Sequence, residues 1–118
     1  MPQRAKFAYK RALELARSVV TGKPQDAFAR AFVAYLQVRL GQTAQGQSEL
    51  EQSLRISGRD ADVLRVAVMM YEALGDREGT LAVLKDAPET LIRDMSRQPD
   101  MTDLARDARF KNLLASRN

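Results

Sequence analysis

The chain has 118 residues and a net charge of +4, with 45% hydrophobic and only 6% aromatic residues, and it contains no Cys, His or Trp. This length suits one domain, and the abundance of Ala, Leu, Arg, Gln and Glu, all good helix formers, predicts an all-α fold. Without Cys and His, the usual zinc ligands and the commonest general base are missing. We therefore expect no metal, no cofactor and no enzymatic activity.

The distribution of charged and apolar residues bears on partners and location. The basic residues are scattered without a basic block, which indicates a solvated surface that would suit an acidic partner better than nucleic acid. The longest apolar run, Val66–Tyr71, is far shorter than the roughly 20 residues of a membrane helix. The N-terminus lacks the apolar core of a signal peptide. We expect a cytoplasmic protein that does not enter a membrane.

The first predicted element is a helix over Lys6–Thr21, which ends at Gly22. One face of this helix carries the apolar residues Ala8, Ala12, Ala16 and Val19. Aligned with the repeated units that follow, it corresponds to the second helix of a unit whose first helix is missing.

The central part of the sequence repeats with a period of 34 residues, which aligns Asp26 with Asp60 and Gly41 with Gly75. Each aspartate is a predicted N-cap, and each glycine supplies the left-handed residue that commonly ends a helix. A second helix follows in each copy, predicted over Thr43–Ile56 and Arg77–Asp86. The unit is therefore helix, tight turn, helix and loop, a pattern typical of stacked repeats.

Helix pairs of this length with Leu-Gly at the turn resemble tetratricopeptide repeats, over about Phe7 to Pro88. The second copy matches the family best, through Ala67, Tyr71, Gly75, Leu84 and Ala87. In the first copy, Gln37 stands where the family favours tyrosine. The resemblance implies an α-α superhelix of helical hairpins. We expect a single domain over 1–118, with a partial repeat at 3–22, full repeats at 25–58 and 59–88, and capping helices at 89–118.

The last thirty or so residues differ from the repeats. A short helix is predicted within Pro88–Gln98, and Thr102 or Asp103 is predicted to cap the next one. The element Asp107-Ala108-Arg109-Phe110, followed by leucines, resembles the tail that closes many bacterial repeat arrays. The resemblance implies that the tail is a helical cap and that the chain is the C-terminal part of an array.

The family resemblance also implies a function, as a non-enzymatic scaffold that binds a peptide or a partner protein on the concave face of the stacked hairpins. The residues implied for this face lie on the first helices: Phe28, Ala31, Tyr35, Val38, Arg39, Asp62, Arg65, Met69, Glu72 and Ala73. Phe28 and Tyr35 have an equally weighted interpretation as packing residues. For Arg65 we favour a plain surface role over ligand contact, with Glu72 or Asp62 as candidate ion-pair partners.

The lone first helix leaves an apolar face that a missing partner should cover. Two explanations fit: either the chain belongs to a longer array, or this helix packs against a second copy. The residues expected in such a homodimer are Phe7, Tyr9, Leu13 and Val20. The alternative function is therefore an oligomerisation or regulatory domain of a larger bacterial signalling or transcription-regulatory protein.

Overall fold

The computed structural model describes residues 2–116, which form eight α-helices and one 3-10 helix and contain no strand. The helices are α1 (Gln3–Gly22), α2 (Ala27–Arg39), α3 (Thr43–Ser57), α4 (Ala61–Ala73), α5 (Arg77–Leu84), α6 (Glu89–Arg97), α7 (Thr102–Arg106) and α8 (Ala108–Ser116), with the 3-10 turn Pro99–Met101 between α6 and α7. The all-α prediction is confirmed. The outer predicted boundaries, at 1 and 118, lie outside the described residues.

Aspartates begin the repeated helices as predicted. The carboxylate of Asp26 accepts a hydrogen bond from the N–H of Ala29 at 3.0 Å, and that of Asp60 accepts from the N–H of Asp62 at 2.8 Å. Asp76 caps α5 in the same way, which the sequence analysis did not single out. These bonds satisfy N–H groups that the first helical turn leaves without partners.

Two glycines end α2 and α4 in the left-handed conformation, Gly41 with φ of 83° and Gly75 with φ of 71°. At the first turn the backbone N–H of Gln42 donates to the carbonyl of Gln37 at 2.8 Å. At the second turn, 34 residues later, the N–H of Asp76 donates to the carbonyl of Tyr71 at 2.9 Å. The pattern is the Schellman motif, and both turns were predicted from the Leu-Gly pairs.

The C-terminal part differs in detail from the prediction. α5 ends at Leu84 instead of Asp86, and the N–H of Ala87 then donates to the carbonyl of Leu84 at 3.2 Å in a tighter last turn. The chain beyond α6 divides into two short helices at Asp107, whose backbone is extended. The Asp107 carboxylate then accepts from the N–H of Arg109 at 2.8 Å and so caps α8.

The core is organised around α2, which contacts α1, α3 and α4. Between α1 and α2 lies a cluster formed by Leu13, Ala16, Val33 and Leu36. The side of α2 that faces α3 and α4 contributes to a cluster of Ala31, Ala34, Val38, Leu50, Val63, Ala67 and Met70. A third cluster joins α4 and α5 to the tail, through Leu64, Val68, Leu84, Leu91, Ile92, Met95, Leu104 and Phe110.

Gln37 is a buried polar residue of α2, only 5% exposed. With its amide oriented to satisfy both neighbours, it accepts from Nη2 of Arg17 in α1 and donates to the carbonyl of Gln45 in α3, each at 3.2 Å. A glutamine therefore replaces the tyrosine of the resembled family without leaving a buried polar group unpaired. It also links three helices.

The closest approach of α2 and α3 depends on Gly46. A Cβ atom at this position would lie 2.7 Å from Cγ2 of Val38 and 2.8 Å from the carbonyl oxygen of Ala34. Seven residues further along α3, the buried hydroxyl of Ser53 donates to the carbonyl of Ala27 at 2.6 Å. The small residues Gly46 and Ser53 therefore let the backbone of α3 lie close to α2.

We expect Gly46→Ala to lower the free energy of unfolding by about 1–3 kcal/mol, because the added methyl overpacks the helix crossing. Gly22→Ala is the matched control, since no atom lies within 4 Å of its added Cβ. Urea unfolding followed by circular dichroism measures both changes. A Gly46→Ala protein as stable as the control would contradict this account of the crossing.

Within the part of the chain that the structure covers, residues 2–116, no helix has the length and apolar character needed to cross a membrane.

Candidate functional site

A cavity of about 560 Å³ lies where α1, α2 and α4 meet the Pro99–Met101 turn. We call it the groove. Its lining residues are Tyr9, Tyr35, Arg39, Met69, Glu72, Ala73, Gln98, Asp100 and Met101. Five of them belong to the surface implied by the family resemblance, and the other four come from α1 and from the tail.

Arg39 lies at the end of α2 and contacts α1 across the groove. Its Nε donates a hydrogen bond to the hydroxyl of Tyr9 at 3.2 Å, and its guanidinium carbon lies 5.3 Å from the centre of the Tyr9 ring. Such cation–π contact restricts the long arginine side chain without removing its charge. Among residues 2–116, no group bonds to the two terminal nitrogens of Arg39, which remain available as donors.

Tyr35 is half-buried beside Arg39 and both packs and lines the groove. Its ring lies 6.3 Å from that of Phe32. Burial is the main cause that raises the pKa of its hydroxyl; Tyr9 and Asp100 also raise this pKa, and Arg39 lowers it. The hydroxyl lies near that of Tyr9 at the groove, and as a phenol it can both donate and accept a hydrogen bond.

Three predicted binding residues of α2 lie outside the groove. Ala31 and Val38 are buried against α3 and α4. Phe28 stays 47% exposed and stacks on Phe32, with ring centres 6.2 Å apart. Because α2 is covered on three sides, only Tyr35 and Arg39 of its predicted stripe reach the groove.

Of the binding residues predicted on α4, some line the groove and others do not. Asp62 is exposed in the first turn, and Arg65 pairs with Asp94 of α6 at 3.4 Å. Arg65 therefore pairs with a carboxylate of α6, and neither candidate partner, Glu72 or Asp62, is the one it contacts. Neither Asp62 nor Arg65 lines the groove, whereas Met69 does.

Glu72 lines the groove, but its carboxylate is already bonded within the protein. Oε1 accepts from Nη2 of Arg77 at 2.8 Å, and Oε2 accepts from Nε of Arg77 at 3.0 Å and from the hydroxyl of Thr80 at 2.6 Å. Arg77 bonds through Nη1 to Asp107 as well, at 3.0 Å. Hydrogen bonding to Glu72 is the main cause that raises the pKa of Arg77. Glu72 therefore lines the groove, while its carboxylate binds Arg77 and Thr80.

The tail is held at the groove by a chain of ion pairs. Arg109 pairs with Asp107 at 3.1 Å and also with Glu78 of α5. Hydrogen bonds from Arg109, and then from Arg77, hold the pKa of Asp107 far below its ordinary value of 3.8. The sequence analysis assigned the tail only a capping role and missed its contribution of Gln98, Asp100 and Met101 to the lining. The Pro99-Asp100 break, which exposes polar groups between two helices, was the available signal.

The residues proposed for self-association on α1 mostly face inward. Leu13 is 5% exposed and, with the half-buried Val20, belongs to the cluster against α2, while Tyr9 lines the groove. Phe7 alone is well exposed, at 67%. A homodimer through all four residues would need α1 to leave α2, since Leu13 is buried between these helices.

Across residues 2–116, no three Asp or Glu side chains cluster in a way that could hold a metal ion. No family model, no curated protein and no solved structure matches the chain.

We expect Arg77→Met to lower the free energy of unfolding by about 1–3 kcal/mol, because Glu72 and Asp107 lose a shared charged donor in a partly buried site. The matched control is Arg55→Met, since Arg55 pairs at 3.8 Å with Glu51 while both side chains are largely exposed. The control should change stability by less than about 0.5 kcal/mol. Equal losses in the two variants, measured by urea unfolding, would argue against a special role for Arg77.

The stability conferred by Asp107 should depend on pH. Its pKa is lower in the folded than in the unfolded chain, so the charged form stabilises the fold above about pH 4, and the effect is lost as the pH falls further. The melting temperatures of wild type and Asp107→Asn should therefore differ most near neutral pH and converge in acid. Asp86→Asn is the charge-matched control. A difference that stays constant down to about pH 2 would refute this role.

Proposed function

We propose that the chain is a non-enzymatic protein-interaction module that binds a peptide, or an extended segment of a partner protein, in the groove. The observation that supports this most is Arg39, which is fixed by Tyr9 while its terminal nitrogens have no partner among residues 2–116. A fixed guanidinium with unused donors beside an open cavity is suited to bind carboxylate or carbonyl oxygens.

The size and lining of the groove favour a short segment over a folded domain. Its volume of about 560 Å³ lies within the range of ordinary ligand pockets, about 300–1,000 Å³. Met69 and Met101 offer adaptable apolar contacts, and the amide of Gln98 can both donate to and accept from a peptide backbone. Asp100 adds an acidic group at the tail side. A suitable ligand has an acidic group near Arg39 and an apolar side chain near the two methionines.

We also propose how the helices are organised. We regard α2–α3 and α4–α5 as two tetratricopeptide-like hairpins of an α-α superhelix, with α1 as the second helix of a partial unit and α6–α8 as the cap. The recurrence of capping aspartates and left-handed glycines at 34 residues supports this, as do the contacts of α2 with α3 and α4. In such stacks the first helices line the inner surface, and α2 and α4 supply five residues of the groove lining.

The second candidate is an oligomerisation or regulatory domain of a larger protein. It is supported by the exposed apolar side chains of α1, where Phe7 is 67% and Leu15 is 64% exposed. Sedimentation equilibrium from micromolar to millimolar concentration distinguishes the candidates. A monomer mass throughout would rule out self-association as the function.

Selection of peptides from a random display library on the purified chain, followed by calorimetry, tests the groove. We expect the selected peptides to bind Arg39→Met about tenfold more weakly than wild type, a loss of about 1.4 kcal/mol, because a charged contact is removed. Tyr35→Phe should weaken binding less, since only one hydroxyl is lost. Arg59→Met, an exposed arginine outside the groove, is the control and should bind as wild type does. Failure to select any peptide, or equal affinity of wild type and Arg39→Met, would overturn the proposal.

A further inference from the structure

α1 carries two parallel apolar stripes, each with successive spacings of four, three and four residues. The first stripe consists of Tyr9, Leu13, Ala16 and Val20. The second stripe consists of Ala8, Ala12, Leu15 and Val19. This spacing keeps side chains on one line of a helix and is typical of a surface that packs against another helix.

The first stripe packs against α2 in this structure, and Ala12 of the second stripe is half-buried against the same cluster. Leu13 and Ala16 are 5% and 8% exposed, in the cluster against α2. In the second stripe, Leu15 is 64% and Val19 is 45% exposed. The distance from Ala8 to Val19 is roughly 16 Å along the helix, or three turns. The second stripe therefore offers an exposed apolar surface through Ala8, Leu15 and Val19.

The excess charge of the protein lies entirely on this helix. α1 contains five basic residues and one acidic residue, a charge of +4, while the other 14 basic and 14 acidic residues of the chain cancel. Arg4 lies one turn before Ala8, and Arg11 lies one turn before Leu15, so both flank the second stripe. Arg11 pairs with Glu14 at 3.5 Å while both side chains are largely exposed, so the pair has little strength in water.

These charges decide between the candidate occupants. A second copy of the chain would bring two helices of charge +4 together, which like-charge repulsion disfavours. A membrane would meet the outermost line of α1, which carries the polar residues Arg11, Glu14 and Ser18 as well as Phe7 and is therefore not a continuous apolar face. An acidic helix with its own apolar stripe satisfies both the apolar and the charged side chains.

We propose that the second stripe of α1 is the docking surface for an acidic amphipathic helix of a partner protein. The apolar residues of that helix pack on Leu15 and Val19, while Ala8 and Ala12 let its backbone approach closely. Its carboxylates pair with Arg4 and Arg11 along one edge. This surface is separate from the groove, so the inference stands whether or not the groove binds a peptide.

The probe is a labelled peptide of about three heptads, with leucine at both core positions and glutamate at the flanking positions. Fluorescence anisotropy measures its binding to the full chain. We expect binding that weakens at least about tenfold in Leu15→Gln combined with Val19→Gln, because the apolar contact is lost. Both side chains are exposed, so the variant should fold normally, as circular dichroism can verify. The same peptide with lysine in place of glutamate should bind much more weakly.

Arg4→Gln with Arg11→Gln should also weaken binding of the acidic peptide. Lys6→Gln with Lys10→Gln is the matched control, since it removes the same charge from the opposite flank of α1 and should have a smaller effect. Equal effects of the two pairs, or undiminished binding to the Leu15 and Val19 variant, would overturn the proposal. So would a dimer, or binding to vesicles of anionic phospholipid, that this variant abolishes, because a second copy or a membrane would then occupy the stripe.

Discussion

The guanidinium of Arg77 bonds to carboxylates from two distant parts of the chain, Glu72 in α4 and Asp107 between α7 and α8. Through these bonds the tail is fixed against α4 and α5, and Phe110 is buried in the cluster they share. The 3-10 turn that precedes α7 then lies beside α1 and α2, where Met101 and Asp100 form one side of the groove. The ion pairs of Arg77 and the burial of Met101, Leu104 and Phe110 together hold this side of the groove in position.

Local signals in the sequence were sufficient for most of the fold. Asp26 and Asp60 accept hydrogen bonds from the helices they begin, and Gly41 and Gly75 adopt the positive φ that ends them. Each of these roles depends on backbone groups within a few residues, so a pattern in one stretch of chain determines it. The end of α5 and the break at Asp107 were harder to predict from the sequence, because this part of the chain is shaped by contacts between α4, α5 and the C-terminal helices.

The candidate site was predictable only in part, because helical spacing identifies a face and does not identify what covers it. Tyr35, Arg39 and Met69 line the groove, whereas Ala31 and Val38 on the same predicted face are buried against α3 and α4. Long-range pairing was harder still. Arg65 and Glu72 share a helix, yet Arg65 pairs with Asp94 and Glu72 with Arg77, partners that only the folded chain brings within reach.

The central claim, that the groove holds a peptide between the repeated helices and the tail, is tested most directly by methyl NMR of the chain labelled at its methionines. Met69 and Met101 line the groove, although only 8% of Met101 is exposed, while Met70 and Met95 are at most 1% exposed and serve as internal controls. On addition of a selected peptide, the account predicts that the methyl signals of Met69 and Met101 shift together while those of Met70 and Met95 stay in place. A peptide that binds and leaves both groove signals unchanged would contradict it.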